Sequence, residues 1–254
     1  MRKLMLAGII TAVGAGLLVP SASAATRTYV ALGDSLSNGY VDSSQPATKG
    51  FVGRLYTGYQ SSLLVNQLLD VAKDGESSTS LRNGGQLASG LADVNAATDT
   101  KAVTIEIGGS EAFFGGSCPG HWTQPTVCPV RANLSYIVGQ LTAALNNDPG
   151  TERFTTMAYY NPSSGTGSAA SVDKTLLGNN LKVGCSDKGL NVGLNDLIYQ
   201  EAGKLGIAVA NPYPAFKQHG QAYMSQTDSL HVHPNDRGYA AIAQAFSNPS
   251  RLCG

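Results

Sequence analysis

Residues 28–37 have the sequence TYVALGDSLS, a short apolar run that ends in a turn. The run from Thr28 to Leu32 is rich in β-branched and aromatic residues, which is typical of a buried strand. Gly33 and Asp34 follow directly, and both residue types favour turns. Ser35 is therefore predicted to lie where a strand ends, with its side chain clear of the packing inside a sheet.

Strand-like and helix-like segments alternate along the rest of the chain. Further strands are predicted for Leu68 to Ala72, Ala102 to Ile107, Phe154 to Tyr159 and Ile207 to Ala210. Between them apolar residues recur with a helical period, first at Leu134, Ile137, Val138, Leu141 and Leu145, then at Leu194, Leu197, Ile198 and Leu205. This alternation predicts an α/β fold, a three-layer α/β/α sandwich around a five-stranded parallel sheet.

A last helix is predicted to begin around Asp236. It would bury Tyr239, Ile242, Ala243 and Phe246 and hold the preceding loop still. The segment from Asn161 to Ala170 is small and polar without a period, and we expect a surface loop near the mouth of a site. In parallel sheets the loops at the carboxyl ends of the strands converge on one edge, where ligands bind.

Composition limits the classes of partner. The 254 residues include 17 basic and 17 acidic side chains, and only 13% are charged. Such a balance gives no field that would attract a polyanion, so nucleic acid is not an expected partner. Because no composition shift divides the chain, we expect one domain, and a monomer.

The N-terminus has the features of a signal peptide. Arg2 and Lys3 precede an apolar run from Leu4 to Val19, and Ala22 to Ala24 form a small-residue cleavage signature. The apolar run is shorter than the ~20 residues of a membrane-spanning helix. We therefore expect residues 1–24 to be removed, residues 25–254 to form the mature domain, and the protein to be secreted without stable membrane insertion.

Four cysteines in an exported chain can form two disulfides, in three possible pairings. We favour Cys118 with Cys128, which closes a short loop, and Cys185 with Cys253, which tethers the C-terminal tail. Neither the cysteines nor the histidines show the spacing of metal ligands, and no phosphate-binding glycine loop is present. No metal and no other cofactor is expected.

A second polar segment lies near the C-terminus, where residues 228–235 read DSLHVHPN. A serine becomes nucleophilic at neutral pH when a neutral imidazole accepts its proton and an acceptor holds the far ring nitrogen. Ser35 and His233 are the candidates for nucleophile and base. Asp228 is the candidate acceptor.

The ordered motifs resemble those of the SGNH (GDSL-type) hydrolase family, over Thr28 to Phe246. They are Gly33 to Leu36, Asp74 to Ser78, Gly108 to Glu111, and His233-Pro234-Asn235 with Gly238-Tyr239. The resemblance implies a flavodoxin-like fold, with Ser35 as nucleophile and as one oxyanion donor through its amide. It also implies that Gly75 supplies a second donor, with Gly90 as the alternative, and that Asp34 is a structural hydrogen-bond acceptor.

Two positions depart from the family pattern. Ser110 stands where the family has an asparagine whose amide reaches the oxyanion. Its hydroxyl can still donate, so we expect Ser110 as a third oxyanion donor, although its shorter side chain needs a water or a loop shift to reach. Leu230 stands where the family usually has the acid, three residues before the base. Three arrangements remain open: Asp228 orients His233 through a longer loop, His231 is the base, or a backbone carbonyl orients the imidazole.

The resemblance implies a secreted carboxylic ester hydrolase acting on a small-molecule, lipid or carbohydrate ester through an acyl-enzyme on Ser35. A carbohydrate acetylesterase and a lysophospholipase are alternatives on the same fold. Because Ser110 replaces the oxyanion asparagine, a binding protein with impaired catalysis is the third alternative.

Overall fold

A computed structural model of the chain describes residues 25–41, 50–62, 65–115, 118, 120–124, 126–148, 153–178 and 192–250. The predicted signal peptide, Cys185 and Cys253 lie outside the described residues. In the part of the chain that is described, no helix is long and apolar enough to cross a membrane.

The core is a five-stranded parallel sheet with strand order β2-β1-β3-β4-β5. The strands are β1 (Thr28–Gly33), β2 (Gln67–Asp70), β3 (Thr100–Glu106), β4 (Arg153–Met157) and β5 (Ala208–Ala210). Each overlaps its predicted run, and the differences at the ends are of one or two residues. The order is that of a doubly wound, flavodoxin-like sheet.

Helices cover the sheet in two groups. One group pairs the first helix with the last, and the other packs the central helices side by side. The helices are α1 (Phe51–Ser61), α2 (Ser78–Asn83), α3 (Gln86–Ala96), α4 (Gly109–Phe113), α5 (Val130–Leu145), α6 (Ala169–Leu177), α7 (Leu194–Lys204), α8 (Tyr213–His219) and α9 (Asp236–Ser247), with a 3₁₀ turn at Gly220–Tyr223. The predicted α/β/α sandwich is confirmed.

The predicted helix faces are buried with two exceptions, Ala243 of α9, which is only partly buried, and Leu205. All five apolar residues of the α5 stripe are buried, as are Tyr239, Ile242 and Phe246 of α9. Leu205 was predicted to face the core but is 43% exposed. The reason is that α7 ends at Lys204, so Leu205 lies beyond the helix and outside its periodic face.

The short loop between α4 and α5 contains the Cys118–Cys128 disulfide, with its Cα atoms 4.7 Å apart. This predicted pair is present. Trp122 within the loop is fully buried, and His121 is exposed.

The sheet determines which strand ends meet. β1 is buried along its whole length and pairs with both β2 and β3. In the register with β3, Gly33 lies beside Glu106. The chain segments that follow β1, β2, β3 and β4 therefore emerge along one edge of the sheet.

Candidate active site

Ser35 lies on a tight turn at the carboxyl end of β1. Gly33 has φ 145°, and a Cβ there would lie 2.5 Å from the carbonyl oxygen of Glu106. The backbone therefore requires glycine at this position. The Asp34 carboxylate accepts a hydrogen bond from the Leu36 amide (3.0 Å), and the Tyr40 amide donates to the Ser35 carbonyl (2.9 Å). These bonds fix the direction of the Ser35 side chain.

His233 lies next to Ser35, although the two are 198 residues apart in sequence. Ser35 Oγ and His233 Nε2 are 2.8 Å apart. His233 is buried, its carbonyl accepts from the Ser225 amide (3.0 Å), and the Tyr40 ring contacts its imidazole edge to face at 4.8 Å. The imidazole is therefore held in place from both sides.

The residues after His233 anchor this loop to α9. Asn235 caps the helix by accepting from the Arg237 and Gly238 amides, and its Nδ2 donates to the Met224 carbonyl (3.0 Å). Asn235 thus joins the helix start to the segment after the 3₁₀ turn. The predicted role of α9 in holding the preceding loop agrees with this network.

Asp228 contacts the far side of the His233 ring. Its Oδ2 lies 3.1 Å from Nδ1, within ion-pair distance but without the alignment of a hydrogen bond. The same carboxylate accepts from the backbone amides of Leu230 (3.0 Å), Val232 (2.7 Å) and His233 (2.8 Å). Burial raises the pKa of Asp228, but these amides outweigh it and the net pKa is lowered, so the carboxylate is ionised.

His231 does not approach the serine. It is exposed, and its φ of 55° is the positive value of a tight turn. Its amide donates to the Asp228 carbonyl (3.1 Å). Of the two histidines in the segment, only His233 contacts Ser35, which favours His233 over His231 as the candidate base.

Gly75 lies across the cavity, in the loop that follows β2. It has φ 72° and lines the same cavity as Ser35 and His233. Gly90 lies inside α3, where a Cβ would be 2.7 Å from Leu32 Cδ2. Gly90 is therefore a packing glycine away from the cavity, and only Gly75 of the two is placed to meet a substrate.

Ser110 lines the cavity, but its hydroxyl already donates a hydrogen bond within the protein. Its Oγ donates to the Glu76 carbonyl at 2.8 Å. A hydroxyl has one proton, so in this arrangement Ser110 cannot also donate to an oxyanion. The contact instead ties the start of α4 to the loop that contains Gly75.

Gln86 provides a second tie to that loop, which the sequence analysis missed. Gln86 is buried at the start of α3. Its Oε1 accepts from the Gly33 amide (2.8 Å), and its Nε2 donates to the Gly33 carbonyl (3.0 Å) and to Glu76 Oε2 (2.9 Å). One side chain thus links the Ser35 turn to the Gly75 loop. No sequence motif distinguishes such a glutamine from a surface one.

A buried acidic cluster lies beneath the serine turn and was also missed. The Tyr159 hydroxyl is 3.1 Å from Asp34 Oδ2 and 3.0 Å from Glu106 Oε1. Burial raises the pKa of Asp34, and burial together with the Asp34 charge raises the pKa of Glu106 well above its usual range. One hydroxyl proton cannot satisfy two carboxylates, so the cluster holds an additional proton, which we place on Glu106.

The cavity around Ser35 has a volume of about 580 Å³. Its walls are largely apolar and come from the serine turn, α4, the end of β4 and the Asp228–His233 segment; they include Leu36, Tyr40, Phe113, Phe114, Tyr159, Tyr160, Leu230 and Val232. The predicted loop at residues 161–170 forms turns and the first residues of α6, and it does not line this cavity. Within the described residues no cluster of three or more metal-ligating side chains is found.

The comparison with protein families decides the assignment. The model of the GDSL-like Lipase/Acylhydrolase family matches residues 31–241, a range that includes Ser35, Gly75, Ser110, Asp228 and His233. The chain belongs to this family.

Solved structures with the same architecture include a lipase, Lip_vut3, from a goat rumen metagenome. It is 22% identical with a TM-score of 0.64, covering 88% of this GDSL-like hydrolase and 97% of the lipase. LAE5, an α/β hydrolase from the Lake Arreo metagenome, is 19% identical with a TM-score of 0.58, covering 89% and 95%. Axe2, an acetylxylan esterase from Geobacillus stearothermophilus, is 14% identical with a TM-score of 0.59, covering 88% and 94%. No curated protein matches the sequence.

At these identities the structures share a fold with the GDSL-like hydrolase. Family membership makes the chain a hydrolase with the flavodoxin-like sheet described above. Its substrate and the roles of its residues have to be argued from its own site.

Proposed function

We propose that this protein is a secreted serine esterase that hydrolyses carboxylic esters through an acyl-enzyme on Ser35. The observation that supports this best is the 2.8 Å separation of Ser35 Oγ and His233 Nε2 in a cavity large enough for a small ester. This distance places the Ser35 hydroxyl beside a ring nitrogen that can accept its proton. It is the arrangement that activates a hydroxyl.

In the proposed reaction His233 Nε2 takes the Ser35 proton as Oγ attacks the ester carbonyl carbon. The tetrahedral intermediate collapses when the C–O bond to the alcohol breaks, and His233 returns the proton to the leaving oxygen. Water then attacks the acyl-enzyme by the same route and releases the acid. Asp228, kept ionised by three backbone amides, stabilises the imidazolium that forms in each step.

The oxyanion is assigned to the backbone amides of Ser35 and Gly75. Ser110 helps to position the Gly75 amide, because its hydroxyl bonds the carbonyl of Glu76, the residue after Gly75. Loss of one oxyanion donor costs about 2.7–4 kcal/mol in other enzymes. An oxyanion hole without the asparagine amide therefore predicts a slow enzyme that is still active.

Export is proposed on the signal-peptide pattern of residues 1–24, with a single mature domain from residue 25. The Cys118–Cys128 disulfide is consistent with an oxidising compartment. N-terminal sequencing of protein recovered from the culture medium tests both points, with a mature start near Ala25 expected.

The esterase proposal is tested with a fluorophosphonate probe, which reacts with activated serines. Wild-type protein should form one adduct, located to Ser35 by mass spectrometry. Ser35→Ala and His233→Ala should form none, while Ser61→Ala, on the exposed face of α1, should react like the wild type. A folded wild-type protein without a Ser35 adduct would instead support the binding-protein alternative.

A further inference from the structure

Most polar groups of the active-site cavity already have protein partners. Apart from Ser35, His233 and Gly75, the polar residues of the wall are Asp34, Asp74, Ser110 and three tyrosines, Tyr40, Tyr159 and Tyr160. The Tyr159 hydroxyl bonds Asp34 and Glu106, and the Tyr160 hydroxyl donates to the Val232 carbonyl. Asp34 accepts from Leu36 and Tyr159, Asp74 accepts from Asn38 Nδ2 (2.9 Å), and Ser110 donates to Glu76. Among the residues that the structure describes, no lysine, arginine, asparagine or glutamine lines this cavity. Its wall therefore presents few donors to a hydroxyl-rich substrate.

Two exposed apolar side chains lie in the same cavity wall. Phe114, the C-cap residue just after α4, is 57% exposed, and Leu230 is 53% exposed. Few large apolar side chains in the described part of the protein are as exposed, and these two are in one cavity. Exposed apolar surface beside a pocket is a mark of a ligand-binding surface.

The position of Leu230 is built into the segment that joins acid to base. Asp228 accepts from the Leu230 and Val232 amides, and the Tyr160 hydroxyl donates to the Val232 carbonyl at 2.5 Å. These bonds, with the positive φ of His231, hold the segment in a turn that places Leu230 and Val232 in the cavity wall. The contacts that orient His233 thus also fix an apolar wall beside it.

We infer that the site selects esters with a hydrocarbon chain of several carbons, and that Phe114 and Leu230 determine this specificity by covering the chain. The inference rests on the proposed esterase function and narrows its substrate class. A chain buried against these side chains gains about 0.8 kcal/mol per methylene, or about fourfold in kcat/KM. An acetyl group on a sugar gains little from the same wall.

The acyl and alcohol sides of the ester are tested separately. We expect kcat/KM to rise about fourfold per methylene either along p-nitrophenyl esters from acetate to octanoate or along acetate esters from methyl to hexyl. The series that rises identifies which side of the ester occupies the wall. Flat values in both series, or faster hydrolysis of acetylated xylan than of any member, would overturn the inference.

Variants then test the two residues. Leu230→Ala and Phe114→Ala should each lower the ratio of kcat/KM for the preferred long ester to that for its short counterpart by roughly tenfold. The backbone amide that bonds Asp228 is kept in Leu230→Ala. Leu205→Ala is the matched control, an exposed leucine outside the cavity, and should leave the ratio unchanged.

The outcomes separate this inference from the proposed function. Hydrolysis with an unchanged ratio in both variants would contradict the role of Phe114 and Leu230 but leave the esterase intact. If no ester is hydrolysed and no Ser35 adduct forms, the proposed esterase function itself is contradicted.

Discussion

At the scale of single residues, the replacement of the family asparagine by Ser110 changes which groups can donate hydrogen bonds to the substrate. The side-chain amide of the family asparagine carries two protons that can be donated. The Ser110 hydroxyl carries one, and it donates this proton to the Glu76 carbonyl. In the proposed mechanism the backbone amides of Ser35 and Gly75 remain as donors to the oxyanion. The remaining side-chain contact is a support for the loop.

Substitutions at Ser110 should therefore act in opposite directions. Ser110→Asn restores an amide donor and should raise kcat about tenfold, less than a full donor is worth because the Glu76 tie is lost. Ser110→Ala removes the tie without adding a donor and should lower kcat. Steady-state kinetics on one p-nitrophenyl ester measure both, and an Asn variant slower than the Ala variant would contradict the assignment.

Glu106 predicts a pH dependence of stability. Because burial and the Asp34 charge raise its pKa in the folded state, its contribution is full below the unfolded-state pKa of about 4.3 and is lost as pH rises through the folded-state value. Glu106→Gln keeps the shape and a donor but does not ionise. Its Tm should fall less than that of the wild type between pH 5 and pH 9. Parallel Tm curves for the two proteins would show that Glu106 does not hold the proton.

The sequence predicted the catalytic candidates but not the supporting roles of Glu106 and Gln86. Ser35, Asp228 and His233 stand in recognisable motifs, and their meeting was predicted. Glu106 lies in an apolar strand, and Gln86 opens an ordinary helix, so their roles arise only from the pairing of β1 with β3 and the packing of α3.

At the scale of elements, close packing of α3 on β1 depends on Gly90. A Cβ there would lie 2.7 Å from Leu32 Cδ2 and 3.1 Å from its Cγ, and Leu32 is fully buried in β1. Gly90 resembles an active-site glycine in sequence because it follows a serine. Its function is to let helix and strand approach.

Gly90→Ala should therefore destabilise the protein by about 1–3 kcal/mol through overpacking. Gly139→Ala in α5 is the matched control, because a Cβ there meets nothing within 4 Å and alanine favours a helix by roughly 0.5–1 kcal/mol over glycine. Urea unfolding measures both. Equal effects of the two substitutions would contradict the packing argument.

The described residues between α4 and α5 form turns and no helix or strand, so the disulfide is expected to contribute to the order of this loop. Replacing Cys118 and Cys128 together by serine releases a loop with a sequence separation of 10 and should cost about 3 kcal/mol of unfolding free energy. Denaturant unfolding without reductant measures the loss and leaves other cysteines untouched. A double variant as stable as the wild type would show that the packing of Trp122 alone orders the loop.

Periodicity located the elements but not their ends. The strands were predicted to within a residue or two because each is a short run rich in β-branched, aromatic or other apolar residues, and α5 and α9 because their buried stripes are regular. Leu205 was misplaced because period alone does not show that α7 stops at Lys204. The Asn161–Ala170 segment was placed near the site mouth, but only the direction of the chain after β4 decides which side it covers.

At the scale of the whole molecule, the first and last parts of the described chain close on each other. Phe51 of α1 stacks on Phe246 of α9 with ring centroids 4.7 Å apart, and Arg54 pairs with Asp236. The Tyr239 hydroxyl donates to the Tyr40 carbonyl, beside the serine turn. These contacts bring the imidazole to the serine from the opposite end of the sequence.

This closure has a consequence for how the protein is made. During translation Ser35 leaves the ribosome 198 residues ahead of His233, and α9, which holds that histidine's loop, emerges later still. Until then the Ser35 hydroxyl has no imidazole beside it. Under the proposed mechanism no hydrolysis is therefore expected before α9 has been made and docks on α1.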